Sequence, residues 1–276
     1  MTELINALGG KLIDLMLDSE SAETTKSESG NFPAITLSQR QLCDLELLVN
    51  GAFSPLTGFM QKKDYESVLE YVHLENGILW PMPIVLDVTN EFANSLKIGE
   101  KIALRDGEGF MPAVMTVEDI WTVDKNREAE CIYGTTSAEH PGVQYLYEQV
   151  KEVYIGGRVE GIELSVHHDF ENLWDSPREL RHLFKKMGWR RVVAFQSSKP
   201  IHRVQRDIIL QAAKDIQGHV LLHPAVGMTK PGDMQYYARV HCYQAVQKYF
   251  PHNLSMLSLL PLAMRMAGPR EALWHV

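Results

Sequence analysis

The stretch Arg191–Ala213, RVVAFQSSKPIHRVQRDIILQAA, decides the fold. RVVAFQ is a short apolar run that opens on β-branched residues, and it predicts a buried strand at 191–196. The polar turn QSSK follows. From Pro200 to Ala213 the apolar residues return at helical spacing, so a helix is expected there. A strand, a polar turn and a helix in that order are the opening of a parallel α/β unit.

The same alternation continues on both sides. Gly218 leads into a second strand expected at 219–226 (HVLLHPAV), then a helix at 233–249 and a third strand at 254–260. Upstream, Ser176-Pro177-Arg178-Glu179 reads as a helix start. Serine caps, proline sits in the first turn, and the acid lies at the positive end of the helix dipole; Gly188 ends it. Residues 176–260 therefore predict a parallel sheet with right-handed crossovers.

Before residue 176 the pattern changes. The runs ILWPMPIVLDV (78–88), KIALRD (101–106), FMPAVMTVEDIWTV (110–123) and AECIYG (129–134) read as short strands. Turn signals such as Asp106-Gly107 separate them, and a small antiparallel barrel or sandwich is expected. A helix capped by Ser38 is expected at 37–48, a packed turn at GAFSPLTGFM (51–60), and a helix at 63–70. The polar stretch DSESAETTKSESGN (18–31) reads as mobile. The expected division is a flexible segment at 1–31, a β domain at 32–170 and an α/β domain at 171–276.

Composition narrows the function. The 276 residues are 45% hydrophobic and 22% charged, the balance of a soluble globular protein. A net charge of −8 argues against nucleic-acid binding, which needs a basic face. Cys43, Cys131 and Cys242 form no CxxC pair and read as reduced thiols. The first 17 residues do not read as a secretory signal, and no window approaches the ~20 apolar residues that span a bilayer. A cytoplasmic location, away from membranes, is expected.

The site chemistry lies in the decisive stretch. Ligands of open parallel sheets bind at the carboxyl ends of strands, where helix N-termini present free N–H groups. Gln196, Ser197, Ser198 and Lys199 gather on that turn, and His202 and Gln205 lie three residues apart at the helix start. One cation and several amides make an anion site. The plainer alternative is a capped turn with a structural histidine. Neither a P-loop nor GxGxxG is present. His223 stands at the carboxyl end of the second strand and can line the same pocket. Lys230 is a candidate phosphate neighbour and Asp233 a helix cap. His167 and His168 read as loop residues rather than metal ligands.

FQSSKPIHRVQ (195–205) resembles the glutamine-x-arginine-asparagine-proline and HxxH motif of the ATP sulfurylases. GAFSPLTGFM, ILWPMPIVLDV, GMTKPGD (227–233) and LLPLAMRMAGPREALWH (259–275) resemble further segments of that family, in its order and with similar spacing. The resemblance implies a PUA-like β domain followed by a Rossmann-like nucleotidyltransferase domain, incomplete at the C-terminus. It also implies the reaction of a sulfate adenylyltransferase, ATP and sulfate giving adenylylsulfate and pyrophosphate. Mg²⁺ would arrive with ATP, without a metal bound by the protein. Gln196 then matches the glutamine that contacts sulfate and nucleotide, and His202 the first histidine, which contacts ATP phosphates. Ser198, Lys199 and Gln205 stand where the family has arginine, asparagine and the second histidine. Serine lacks the charged fork of arginine, and Lys199 returns charge without that geometry. Two readings follow: an adenylyltransferase, or a non-catalytic relative with a binding or assembly role beside an adenylylsulfate kinase. The expected chain end also implies exposed Leu260, Leu262, Leu273 and Trp274, and hence self-association.

Overall fold

A computed structural model describes residues 4–164, 166–197, 199–228 and 232–276. In chain order the elements are α1 (Ser19–Glu28), β1 (Ala34–Thr36), α2 (Gln39–Val49), β2 (Gly58–Phe59), α3 (Lys62–Tyr71), β3 (Leu86–Val88), α4 (Asn90–Ser95), β4 (Lys101–Arg105), β5 (Ala113–Thr122), α5 (Lys125–Tyr133), α6 (Pro141–Glu148) and β6 (Val153–Gly161). There follow α7 (Pro177–Lys186), β7 (Val192–Phe195), α8 (Arg203–Asp215), β8 (His219–Leu222), α9 (Tyr236–Gln247), β9 (Ser255–Leu257) and α10 (Pro269–His275). No helix among the described residues is long and apolar enough to cross a membrane.

The chain forms two compact units. One comprises Leu8–Ser165 with Arg265–Val276; the other is Val166–Met264, joined by the N-terminal stretch that ends at Ala7. The first is built on a six-stranded sheet of order β1-β4-β5-β6-β2, with β3 also pairing β6. Its long central pair, β5 and β6, is antiparallel and carries a bulge between Val117 and Asp119. β1 runs parallel to β4. Tyr65 and Leu69 of α3, Trp121 of β5, Ile132 of α5 and Tyr154 of β6 meet in one core cluster.

Three expectations are corrected in this unit. The polar stretch 18–31 is helical over α1: Asp18 caps it by accepting from Ser21 N at 2.9 Å, and Ala22 packs beside Ala103 and Val114. AECIYG is the end of helix α5 and not a strand. Asp124 caps that helix, and Glu128, Ala129 and Ile132 turn one buried face inward. The segment Arg265–Val276 folds with the β unit. There Leu273 is 40% exposed, but Trp274 is half-buried against Phe53 at a ring separation of 5.7 Å. Leu262, in the other unit, is 4% exposed, so the expected exposure of these side chains does not hold for Leu262.

In the second unit β7, β8 and β9 pair in parallel, with Val192 opposite His219 and Val220 opposite Ser255. Alternation along β8 explains the layers. Val220 and Leu222 pack with Ile209 and Ala213 of α8 and Tyr243 of α9. Leu221 points to the other face, against Leu180 and Phe184 of α7 and Trp189. Both faces of β8 are thus covered, as an apolar parallel strand requires.

Candidate functional site

The segment from Gln196 to His202 joins the carboxyl end of β7 to the start of α8. Helix α8 starts three residues later than the sequence predicts, because His202 is its N-cap. The Nδ1 atom of His202 accepts from Gln205 N at 3.4 Å, and Gln205 Oε1 accepts from His202 N at 3.1 Å. This reciprocal cap satisfies two helix-end donors. In a neutral imidazole whose Nδ1 accepts, Nε2 carries the proton and is a donor.

The turn itself is held tightly. Ser197 Oγ accepts from Lys199 N at 3.0 Å, and the carbonyl of Ser197 accepts from Ala225 N at 3.2 Å. The hydroxyl of Tyr243 donates to the carbonyl of Lys199 at 2.9 Å. Burial pushes that hydroxyl up to about 12, so it remains a donor across the neutral range. The Lys199 ammonium pairs with the carboxylate of Asp233. Asp233 therefore does not cap α9 as expected; the helix begins at Tyr236 behind Gln235. Ser198 and Lys230 lie outside the described residues.

Of the buried side chains with unmet hydrogen-bonding capacity among the described residues, Gln196 and Arg239 belong to this region. The Nε2 of Gln196 is buried and has no partner, and so is the Nε of Arg239. A buried N–H without an acceptor is costly, and in a native site it points to a ligand or water. His223, at the carboxyl end of β8, is half-buried, and burial lowers its imidazole to about 4. It is neutral at neutral pH.

Sequence reasoning missed Arg239 and Tyr243. They are four residues apart on α9, hence on one face, and both are fully buried. Arg239 donates to the carbonyls of Ala225 and Met234 in the loop that follows β8, and Tyr243 to that of Lys199 in the loop that follows β7, so α9 holds both loops. A charged residue within an otherwise buried helix face was the available signal. Among the described residues no group of three or more His, Cys, Asp or Glu stands ready to hold a metal ion.

Comparison with known proteins matches both parts of the chain to known domain families. The model of the PUA-like domain family matches residues 5–164, and that of the ATP-sulfurylase family matches residues 171–276. The sulfate adenylyltransferase of Eremothecium gossypii is 47% identical over 99% of this chain and 54% of its own length. That of Mycosarcoma maydis is 47% identical over 97% of this chain and 47% of its own. The enzyme of Schizosaccharomyces pombe is 47% identical over 94% and 53%. The chain thus spans about half the length of the curated relatives it matches. A solved structure titled hexameric APS kinase from Thiobacillus denitrificans superposes with a TM-score of 0.81 at 35% identity, covering 99% of this chain and 50% of that one.

Proposed function

Since this chain belongs to the ATP-sulfurylase family, with a PUA-like domain followed by an ATP-sulfurylase domain, we propose that it carries the site for adenylyl transfer from ATP to sulfate. A sulfate oxygen attacks the α-phosphorus, the bond to the bridging oxygen breaks, and pyrophosphate leaves with the electron pair. Adenylylsulfate is the other product. No proton has to move, so the demand on the protein is to hold anions in line and to meet their charge. Mg²⁺ would arrive with ATP and supply charge neutralisation to its phosphates.

The observation that carries this reading is the buried, unpartnered amide of Gln196 at the carboxyl end of β7. It is a donor awaiting an acceptor, and an oxyanion supplies one. His202 offers its Nε2 proton to a phosphate oxygen from the first turn of α8. Lys199 provides the charge once it leaves Asp233. Ser197 shapes the turn, Gln205 fixes the orientation of His202, and His223 lines the site as a neutral imidazole. Ser198 stands beside them in the sequence as a short donor.

The non-catalytic reading retains one point in its favour: the Lys199 charge is paired with Asp233. For protein partners we favour a second copy of this chain, with an adenylylsulfate kinase as the alternative. The cavity of about 480 Å³ along β9, lined by Leu173, Trp189 and Met256 together with Gln247, Asn253 and Ser255, is the surface concerned. Function in the cytoplasm fits these substrates. Sulfate- or molybdate-dependent release of pyrophosphate from ATP by the purified chain tests the reading. Release above the protein-free rate supports it. Calorimetric binding of adenylylsulfate without any release selects the non-catalytic alternative.

A further inference from the structure

The charge of one carboxylate, that of Asp233, acts on both Lys199 and Arg239. The ammonium of Lys199 is paired with Asp233, whose side chain is only 3% exposed while that of Lys199 is 53% exposed. Arg239 is 1% exposed and spends its terminal nitrogens on the carbonyls of Ala225 and Met234, the latter one residue from Asp233. Its Nε–H is left buried with no acceptor. A fully buried guanidinium with an unused N–H, under the influence of a buried carboxylate one residue from its own hydrogen-bond partner, is half of an ion pair that is not made. The competing partner of that carboxylate is the one exposed cation on the turn.

We propose that Asp233 is exchanged between two cations: it holds Lys199 as the structure shows, and it turns to the Nε–H of Arg239 when Lys199 moves to an oxyanion. Arg239 is thereby a positioning residue. It does not touch the anion, but it receives the carboxylate that would otherwise keep Lys199 neutralised. The inference rests on the reading of Lys199 as an oxyanion ligand. It adds a reason why an ion pair at the mouth of the site need not block it: the carboxylate is never stranded, because a buried donor waits for it. Both states keep one ion pair, so the exchange costs little, and the anion gains a full positive charge.

The Nε–H of each arginine gives its own proton–nitrogen signal, and a charge-assisted hydrogen bond moves it downfield and slows its exchange with water. The test compares Arg239 in the full chain, in Lys199→Met and in Lys199→Met/Asp233→Asn, without ligand. The Lys199→Met chain is expected to show the Arg239 signal shifted downfield and exchanging about tenfold more slowly, and the double variant to lose both changes. An Arg239 signal that is the same in all three overturns the exchange. Saturating adenylylsulfate added to the full chain should reproduce the Lys199→Met signal. If Lys199→Met shows the shift and adenylylsulfate does not, the exchange stands and the substrate reading fails. Should Lys199→Met not fold, Lys199→Gln serves for the same comparison.

Discussion

His202 and Gln205 close on each other at the start of α8, each accepting a backbone hydrogen bond from the other, at 3.4 and 3.1 Å. His202 is a helix cap through Nδ1, which leaves Nε2 for the ligand role proposed above. Asparagine is a good N-cap but lacks the second nitrogen. His202→Asn should keep stability within about 0.5 kcal/mol while weakening adenylylsulfate binding, and His202→Ala should lose about 1 kcal/mol as well. Urea unfolding and calorimetry on the two variants separate the roles. Equal loss of stability in both would show that the cap does not depend on this geometry.

In the β unit, Asp44 of α2 and Arg265 form an ion pair in which both side chains are at most 5% exposed. Glu271 accepts from the backbone N–H groups of Arg265 and Ala267, which fixes the turn leading into α10. Removing one charge leaves the other buried and unpaired. Arg265→Met should cost about 3–5 kcal/mol, and adding Asp44→Leu should restore most of it. Chemical denaturation of the single and double variants is the check. A double variant no more stable than the single one would locate the effect in packing.

Gly58 of β2 lies against β6, where an added Cβ would stand 2.0 Å from the carbonyl oxygen of Gly157 and 2.8 Å from Val159 N. Both obstacles are backbone, so no side-chain rotation relieves them. Gly58→Ala should destabilise this unit by at least about 3 kcal/mol, read as a lower midpoint in urea. An unchanged midpoint would mean that β2 can detach without loss.

What the sequence made legible was local. Ser38 with Gln41 and Ser176 with Glu179 form the reciprocal caps that their spacing announces. RVVAFQ became β7 because a short run of apolar residues bounded by polar turns has few other options. What stayed hidden depended on contacts distant in sequence. Lys199 and Asp233 are 34 residues apart, so nothing in either segment predicts their pairing. Arg239 looked like one polar position in a helix until its two carbonyl partners on the connection from β8 to α9 were visible. AECIYG suits a strand by composition, yet the cap at Asp124 and a buried face on the β sheet decide for helix. The Asp44–Arg265 pair likewise draws the end of the matched ATP-sulfurylase stretch into the β unit, a long-range effect.

The last prediction concerns pH and His223. Burial lowers its imidazole from the ordinary 6.5 to about 4, and a hydrogen bond with the backbone of Leu259 opposes this only partly. The unfolded chain takes up the proton near pH 6.5 and the folded chain only near 4. Between those values the unfolded state binds more protons, so stability rises with pH across the window. The contribution is fully present above about pH 6.5 and is lost progressively as the pH falls toward 4. At 1.36 kcal/mol per unit it amounts to about 3 kcal/mol. His275, in the other unit, is also lowered by burial and adds a trend of the same sign. The informative quantity is therefore the difference between the parent chain and His223→Gln, measured by urea unfolding at several pH values from 4 to 7. That difference should favour the parent near pH 7 and shrink as the solution is acidified. A difference independent of pH would place the charged imidazole in the folded state without cost, and would remove His223 from the neutral groups assigned to the site.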